Sequence, residues 1–82
     1  MQYTYHTDPG HGWVEVPLAE INRLKLTPSL YSYIQGAFAY LEEDCDLSAW
    51  AHAKRAAGEP FQLVTRNVND DHPIRNFSRF GG

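Results

Sequence analysis

Four carboxylates fall within five residues at Glu42-Glu43-Asp44-Cys45-Asp46, between an alternating run, Ala37 to Leu41, and a helix-forming run that opens at Leu47. Like charges this close repel one another, so the fold must fan them into water or give them a positive partner. The stretch therefore marks a surface corner where a strand hands over to a helix. Acids just before a helix also favour its positive end, by roughly 0.3–1 kcal/mol each. Two readings of the corner stand together: helix capping alone, or capping plus a docking face for an Arg- or Lys-lined groove. Glu42, Glu43, Asp44 and Asp46 are the candidate partner-binding residues.

The rest of the chain reads as short strands and two helices. Gln2 to His6 alternates with Tyr3 and Tyr5 on one face, and Asp8-Pro9-Gly10-His11-Gly12 is a turn before a second strand, Trp13 to Val16. Pro17 suits a first helical position, and Leu18, Ile21 and Leu24 form the buried stripe of a short helix. Tyr31 to Ile34, Gln35-Gly36 and Ala37 to Leu41 have the pattern of a hairpin, with Phe38 and Tyr40 on one face. Asp46 or Ser48 can cap the second helix, which is expected to run to Ala57 with Gly58 as its left-handed stop. Leu47, Trp50, Ala51 and Lys54 share its inner stripe, with Trp50 as anchor. Phe61 to Arg66 is a further strand, and Ile74, Phe77 and Phe80 can dock a short tail. The expectation is one α+β domain over residues 1–82: a mainly antiparallel sheet of four to five strands with two helices on one face, in the order β-β-α-β-β-α-β. Residues 72–82 are expected to form a partly ordered C-terminal tail.

Length and composition narrow the function classes. Eighty-two residues, 43% hydrophobic and 13% aromatic, suffice for a single core built on large rings. A net charge of −3 argues against direct, sequence-independent nucleic-acid binding. No apolar run approaches the roughly 18 residues that span a bilayer, so no membrane partner is expected. One cysteine allows no internal disulfide and fits a cytoplasmic setting, and the N-terminus lacks the features of a signal peptide.

No catalytic or metal motif emerges. Cys45 lies among acids that weaken a thiol as nucleophile, and it reads as a packing residue. His6, His11, His52 and His72 match no zinc spacing, although His6 and His11 flank one turn. The acid stretch lacks the alternating ligands and glycine of a calcium loop. Tyr31, Tyr33, Phe38 and Tyr40 compare with an RNA-stacking platform but lack basic flanks, so packing beneath the helices is expected. Arg75 and Arg79, with Phe77 and Phe80, read either as a solvated tail pinned by its rings or as a secondary partner-binding hook. Catalytic residues, metals and cofactors are therefore all set at none.

Three stretches together carry a resemblance: Gly10-His11-Gly12-Trp13-Val-Glu-Val-Pro17, Tyr31-Ser-Tyr33 through Tyr40-Leu-Glu-Glu-Asp-Cys-Asp46, and Ile74-Arg-Asn-Phe77 with Arg79-Phe80. In these the chain resembles an uncharacterised family of small bacterial proteins often encoded on phages and plasmids. The resemblance implies a mobile element, where small acidic proteins often block host defence; type I anti-CRISPR proteins include such folds. The leading expectation is a non-enzymatic inhibitor or regulator occupying a basic, nucleic-acid-binding surface of a host protein such as a CRISPR–Cas subunit. The alternatives are a dimerisation module using exposed aromatics, as monomer or homodimer, and a sulfur-carrier-like protein using the terminal Gly81-Gly82.

Overall fold

Glycine turns and proline breaks cut the chain into β1 (Gln2–Thr7), β2 (Gly12–Pro17), α1 (Leu18–Arg23), β3 (Tyr33–Gln35), β4 (Phe38–Glu42), α2 (Asp46–Ala56), β5 (Gln62–Asn67), a 3₁₀ turn (Pro73–Asn76) and β6 (Ser78–Arg79). The computed structural model describes residues 1–81, so Gly82 and any sulfur-carrier use of its carboxylate lie outside the described residues. The strands form one sheet in the order β5-β1-β2-β4-β3-β6. All neighbours run antiparallel except β5, which lies parallel to β1 with Tyr3 opposite Leu63. This is the mainly antiparallel α+β domain that the pattern implies, with six strands rather than four to five. The added strand is two-residue β6 on one edge; β5, expected as a strand, pairs parallel to β1 on the other.

The turns follow from local chemistry. Gly36, at φ 59°, closes the β3–β4 hairpin, and Gly58, at φ 70°, ends α2 in the left-handed region. Gly12 has a different reason from the turn role expected of it. A Cβ there would lie 2.2 Å from the Tyr5 hydroxyl oxygen and 2.5 Å from Cζ, so only glycine fits beneath that ring.

Both faces of the central strands are covered. On one face Tyr3, Val14, Val16, Ala39 and Leu41 pack against Ile21 of α1 and Trp50 and Ala51 of α2. Within this core sits a charged cluster that no pattern in the sequence announces. Glu20 accepts from the Trp50 indole at 2.7 Å and the Tyr3 hydroxyl at 2.5 Å, while the Lys54 ammonium donates to the Tyr3 oxygen at 2.8 Å and to Glu20 at 3.2 Å. Glu59 accepts from Lys54 at 3.0 Å. Burial alone would lower the Lys54 pKa, but its hydrogen bonds to Tyr3, Glu59 and Glu20 outweigh that and raise it. Burial likewise works against an ionised Glu20, and its three donors reverse the effect and hold its pKa down. Lys54 thus stays charged in the core because every donor finds an acceptor.

On the other face Trp13, Tyr33 and Tyr40 form a second core with Ile74, backed by Phe77. Tyr33 and Tyr40, expected beneath the helices, stand opposite each other on this face instead, covered by the C-terminal segment. Tyr31 and Phe38 are exposed. The segment is bolted down by Asp8. Its carboxylate accepts from the Gly10 and His11 amides of its own turn, from the His72 amide at 3.0 Å, and from Arg75 at 2.6 and 2.8 Å. The Arg75 pair, aided by those amides, holds the buried Asp8 carboxyl far below the usual carboxylate range. β6 then joins β3, with Tyr33 opposite Arg79. Among the described residues no helix is long and apolar enough to cross a membrane.

Candidate functional site

The acid corner forms where β4 ends, held to the first hairpin by the Glu43 amide donating to the Gly12 carbonyl at 3.0 Å. Its four carboxylates do not fan outward together, which corrects the expected docking face. Glu42 is buried. Its Oε2 accepts from the Asp44 and Cys45 amides at 3.0 Å, tying the turn ahead of α2. Burial and the neighbouring Asp44 raise the Glu42 pKa. Asp46 turns inward as well. Its Oδ2 accepts from the Ser29 amide at 3.0 Å, the Ser29 hydroxyl at 2.8 Å and the Ser32 hydroxyl. Glu43 is exposed and accepts from the Tyr5 hydroxyl at 2.5 Å, and Asp44 is exposed. Capping by Asp46 or Ser48 does not occur. Cys45 occupies the cap position without a side-chain bond, because Asp46 is committed to the serines.

The Asp46 clasp has a structural product. Ser29 and Ser32 flank Leu30 and Tyr31, which stand 60% and 63% exposed. Arg79 braces the same loop by donating to the Leu30 carbonyl at 3.1 Å. Two large side chains thus stand exposed side by side on a loop held by a carboxylate and a guanidinium.

Residues assigned to two separate surfaces in the sequence meet at one hollow. His11, Trp13, Tyr31, Tyr33, Glu42, Arg75 and Arg79 line a depression of about 250 Å³ between the β3–β4 face and the tail. Arg75 lies 5.3 Å from the centre of the Trp13 ring and Arg79 5.0 Å from that of Tyr33, within cation–π range. Arg75 is tied to Asp8, whereas Arg79 has no carboxylate partner among the described residues. Trp13 was legible as a core residue, but its part in a site was not. That depends on the tail crossing the sheet. A larger hollow of about 460 Å³ lies beside the end of α2, among Arg55, Gly58, Glu59, Pro60 and Phe61. Its one carboxylate, Glu59, is already engaged by Arg23 and Lys54, so few groups there are free to bind.

His11, Glu42 and Asp44 each bring one donor atom within 4.8 Å of the others. The set is a metal-ligand grouping by residue type, invisible in the sequence because β2–β4 pairing assembles it. Exposed acids before a helix also gather in this way without an ion. His6 meets His72, ring centres 5.0 Å apart, and bonds Glu15 at 3.0 Å, so it does not join His11. Cys45, expected to be packed, is exposed, and its thiol pKa is raised by desolvation and by Glu42, Asp46 and Asp44. A thiol so placed is a weak nucleophile.

No family model, curated protein or solved structure matches the chain. What the structure defines is a small α+β domain in which side chains of the acid corner and of the C-terminal segment line one hollow.

Proposed function

We propose that the chain is a non-enzymatic binding protein that inhibits or regulates a partner protein bearing a basic surface. In line with the sequence resemblance, its origin is a mobile element and its target a host protein, with a CRISPR–Cas subunit as the leading class. The observation that carries this reading is the Asp46 clasp, which displays Leu30 and Tyr31 on a loop bolted to the acid corner. Interface centres favour aromatic and Arg anchors, with charge complementarity setting orientation and encounter rate. Tyr31 supplies the anchor, Glu43 and Asp44 the outward charge, and Arg79 the rim.

The test is capture of a partner from host lysate with the full chain, at low and at high salt. A basic partner should be retained at low salt and weakened at high salt. Tyr31→Ala should cost about 2 kcal/mol of affinity, the scale of an interface hot spot. Replacing Glu43 and Asp44 together by Lys should slow association. Unchanged capture by both variants removes the reading. A second reading, self-association, is favoured by one observation: all six residues of edge strand β5 are exposed, Leu63 and Val64 among them. Sedimentation showing only monomer at high concentration would exclude it.

A further inference from the structure

The segment that covers the second aromatic core begins on a histidine cap. His72 precedes the 3₁₀ turn Pro73–Asn76, and its Nδ1 accepts from the Ile74 amide at 3.1 Å. A backbone N–H can only donate, so Nδ1 must present its lone pair. The ring is therefore neutral, with its proton on Nε2. Protonation would set a second N–H against the Ile74 amide and break the cap. Ile74 is the residue this cap seats, 1% exposed, in one cluster with Trp13, Tyr33 and Tyr40.

The groups around the half-buried ring work in the same direction. His6 of β1 stands against it with ring centres 5.0 Å apart, and the Trp13 ring of β2 lies 6.1 Å away. His6 is bonded to Glu15 at 3.0 Å and packs near Tyr40. A positive His72 would be repelled whenever His6 carries charge too. Two acids lie on the other side of the balance. Asp8 accepts from the His72 amide at 3.0 Å, and exposed Asp71 precedes His72 in the chain. Asp8, however, is already matched by Arg75 at 2.6 and 2.8 Å. Burial and His6 outweigh Asp8 and hold the His72 pKa below its ordinary value.

We infer that His72 makes the C-terminal segment a pH-sensitive latch over the Trp13 layer, closed while the imidazole is neutral and loosened when it takes a proton. Because the fold lowers this pKa, the contribution of His72 is complete above the unfolded value of about 6.5. It is lost as pH falls through the folded one. Asp8 stays ionised far below that range and keeps its hold on Arg75 meanwhile. The segment thus loosens in two steps, His72 in mild acid and Asp8 only at much lower pH. The latch needs no partner, so it stands or falls apart from the binding reading above.

The experiment is an NMR titration of the ¹⁵N-labelled full chain from about pH 7.5 to about pH 5, spanning the histidine range. Amide exchange is followed alongside and corrected for its intrinsic pH dependence. At the upper end the ¹⁵N shifts of the His72 ring should place its proton on Nε2. As the ring charges, protection of the Ile74, Phe77 and Phe80 amides should fall about fivefold, the scale of one lost hydrogen bond. The Trp13 indole N–H should exchange faster over the same range, while that of Trp50 and the amides of α2 hold steady. His72→Asn puts a neutral acceptor suited to a cap in place of Nδ1, so its protection should be flat across the range. A neutral ring with its proton on Nδ1 overturns the proposal without any variant. So does protection that stays level in the wild type while His72 titrates, or an equal fall in His72→Asn.

Discussion

The two tryptophans sit on opposite faces of one sheet and are treated differently. Trp50, beneath the helices, has its N–H on Glu20, and Glu20 in turn shares Tyr3 and Lys54. Trp13, beneath the tail, has rings and the Arg75 guanidinium around it and no acceptor for its N–H. The helix-covered face is closed, with a buried charge network whose members answer one another. The tail-covered face carries an equally buried ring and an open hydrogen bond beside a hollow. Burial alone does not separate the two indoles here. Whether the polar atom is matched does.

The largest expected effect comes from breaking the closed face. Glu20→Ala would strand Lys54 and the Trp50 indole together, and breaking a buried pair costs about 3–5 kcal/mol. Chemical denaturation should show a loss of at least about 3 kcal/mol; a smaller loss would mean that Glu59 suffices for Lys54. Next is the bolt of the open face. Asp8→Asn removes the charge that holds Arg75 and should cost about 2–3 kcal/mol, a charged hydrogen-bonded group being worth about this much. Hydrogen exchange should then rise across 73–79 and not in α2. The same carboxyl gives a pH signature. Its folded pKa lies below its unfolded value, so its contribution is complete above pH about 4 and fades as acid protonates it. Acid should therefore loosen the tail in the wild type and have less effect in Asp8→Asn.

The indole comparison can be sharpened directly. Trp50→Phe should destabilise by about 3 kcal/mol or more, through lost volume and an unpaired Glu20 oxygen. Trp13→Phe loses volume too but relieves an unmatched donor, so its cost should be smaller by about 1 kcal/mol or more. Equal losses by thermal denaturation would remove the distinction between the faces. The smallest effect belongs to Glu42→Gln, which keeps an acceptor for the Asp44 and Cys45 amides while removing charge beside Asp44. Because the Glu42 pKa is raised in the fold, its favourable protonated form prevails below the unfolded pKa and is lost as pH rises. The variant should thus be more stable than wild type by a few tenths of a kcal/mol at neutral pH, and equal to it in acid.

Much of the frame could be read from residue order. Pro9-Gly10 and Gly36 marked the hairpins, Gly58 the end of α2, and the alternation of Tyr3 and Tyr5 their shared face. Trp13-Val14-Glu15-Val16 was harder, since Trp13 and Val14 are both buried and simple alternation fails once both faces are covered. The tail's role in that covering depends on Asp8 meeting Arg75, a contact across most of the chain that no local pattern carries. Lys54 already fell on the inner stripe of α2, but its partner Glu20, on another helix, carried no such mark until packing joined them. At the acid corner the composition was plain, but the direction of each carboxyl was not. Only tertiary pairing turned Asp46 toward Ser29 and left Asp44 outside.

The position of β1 has a consequence for synthesis. β1 precedes both of its coverings in the chain: one flank is filled by Gln62–Asn67, and the aromatic layer beside it is roofed by Pro73–Asn76. During translation that flank therefore stays bare until Gln62–Asn67 has been made, and the rings stay uncovered until Pro73–Asn76 follows.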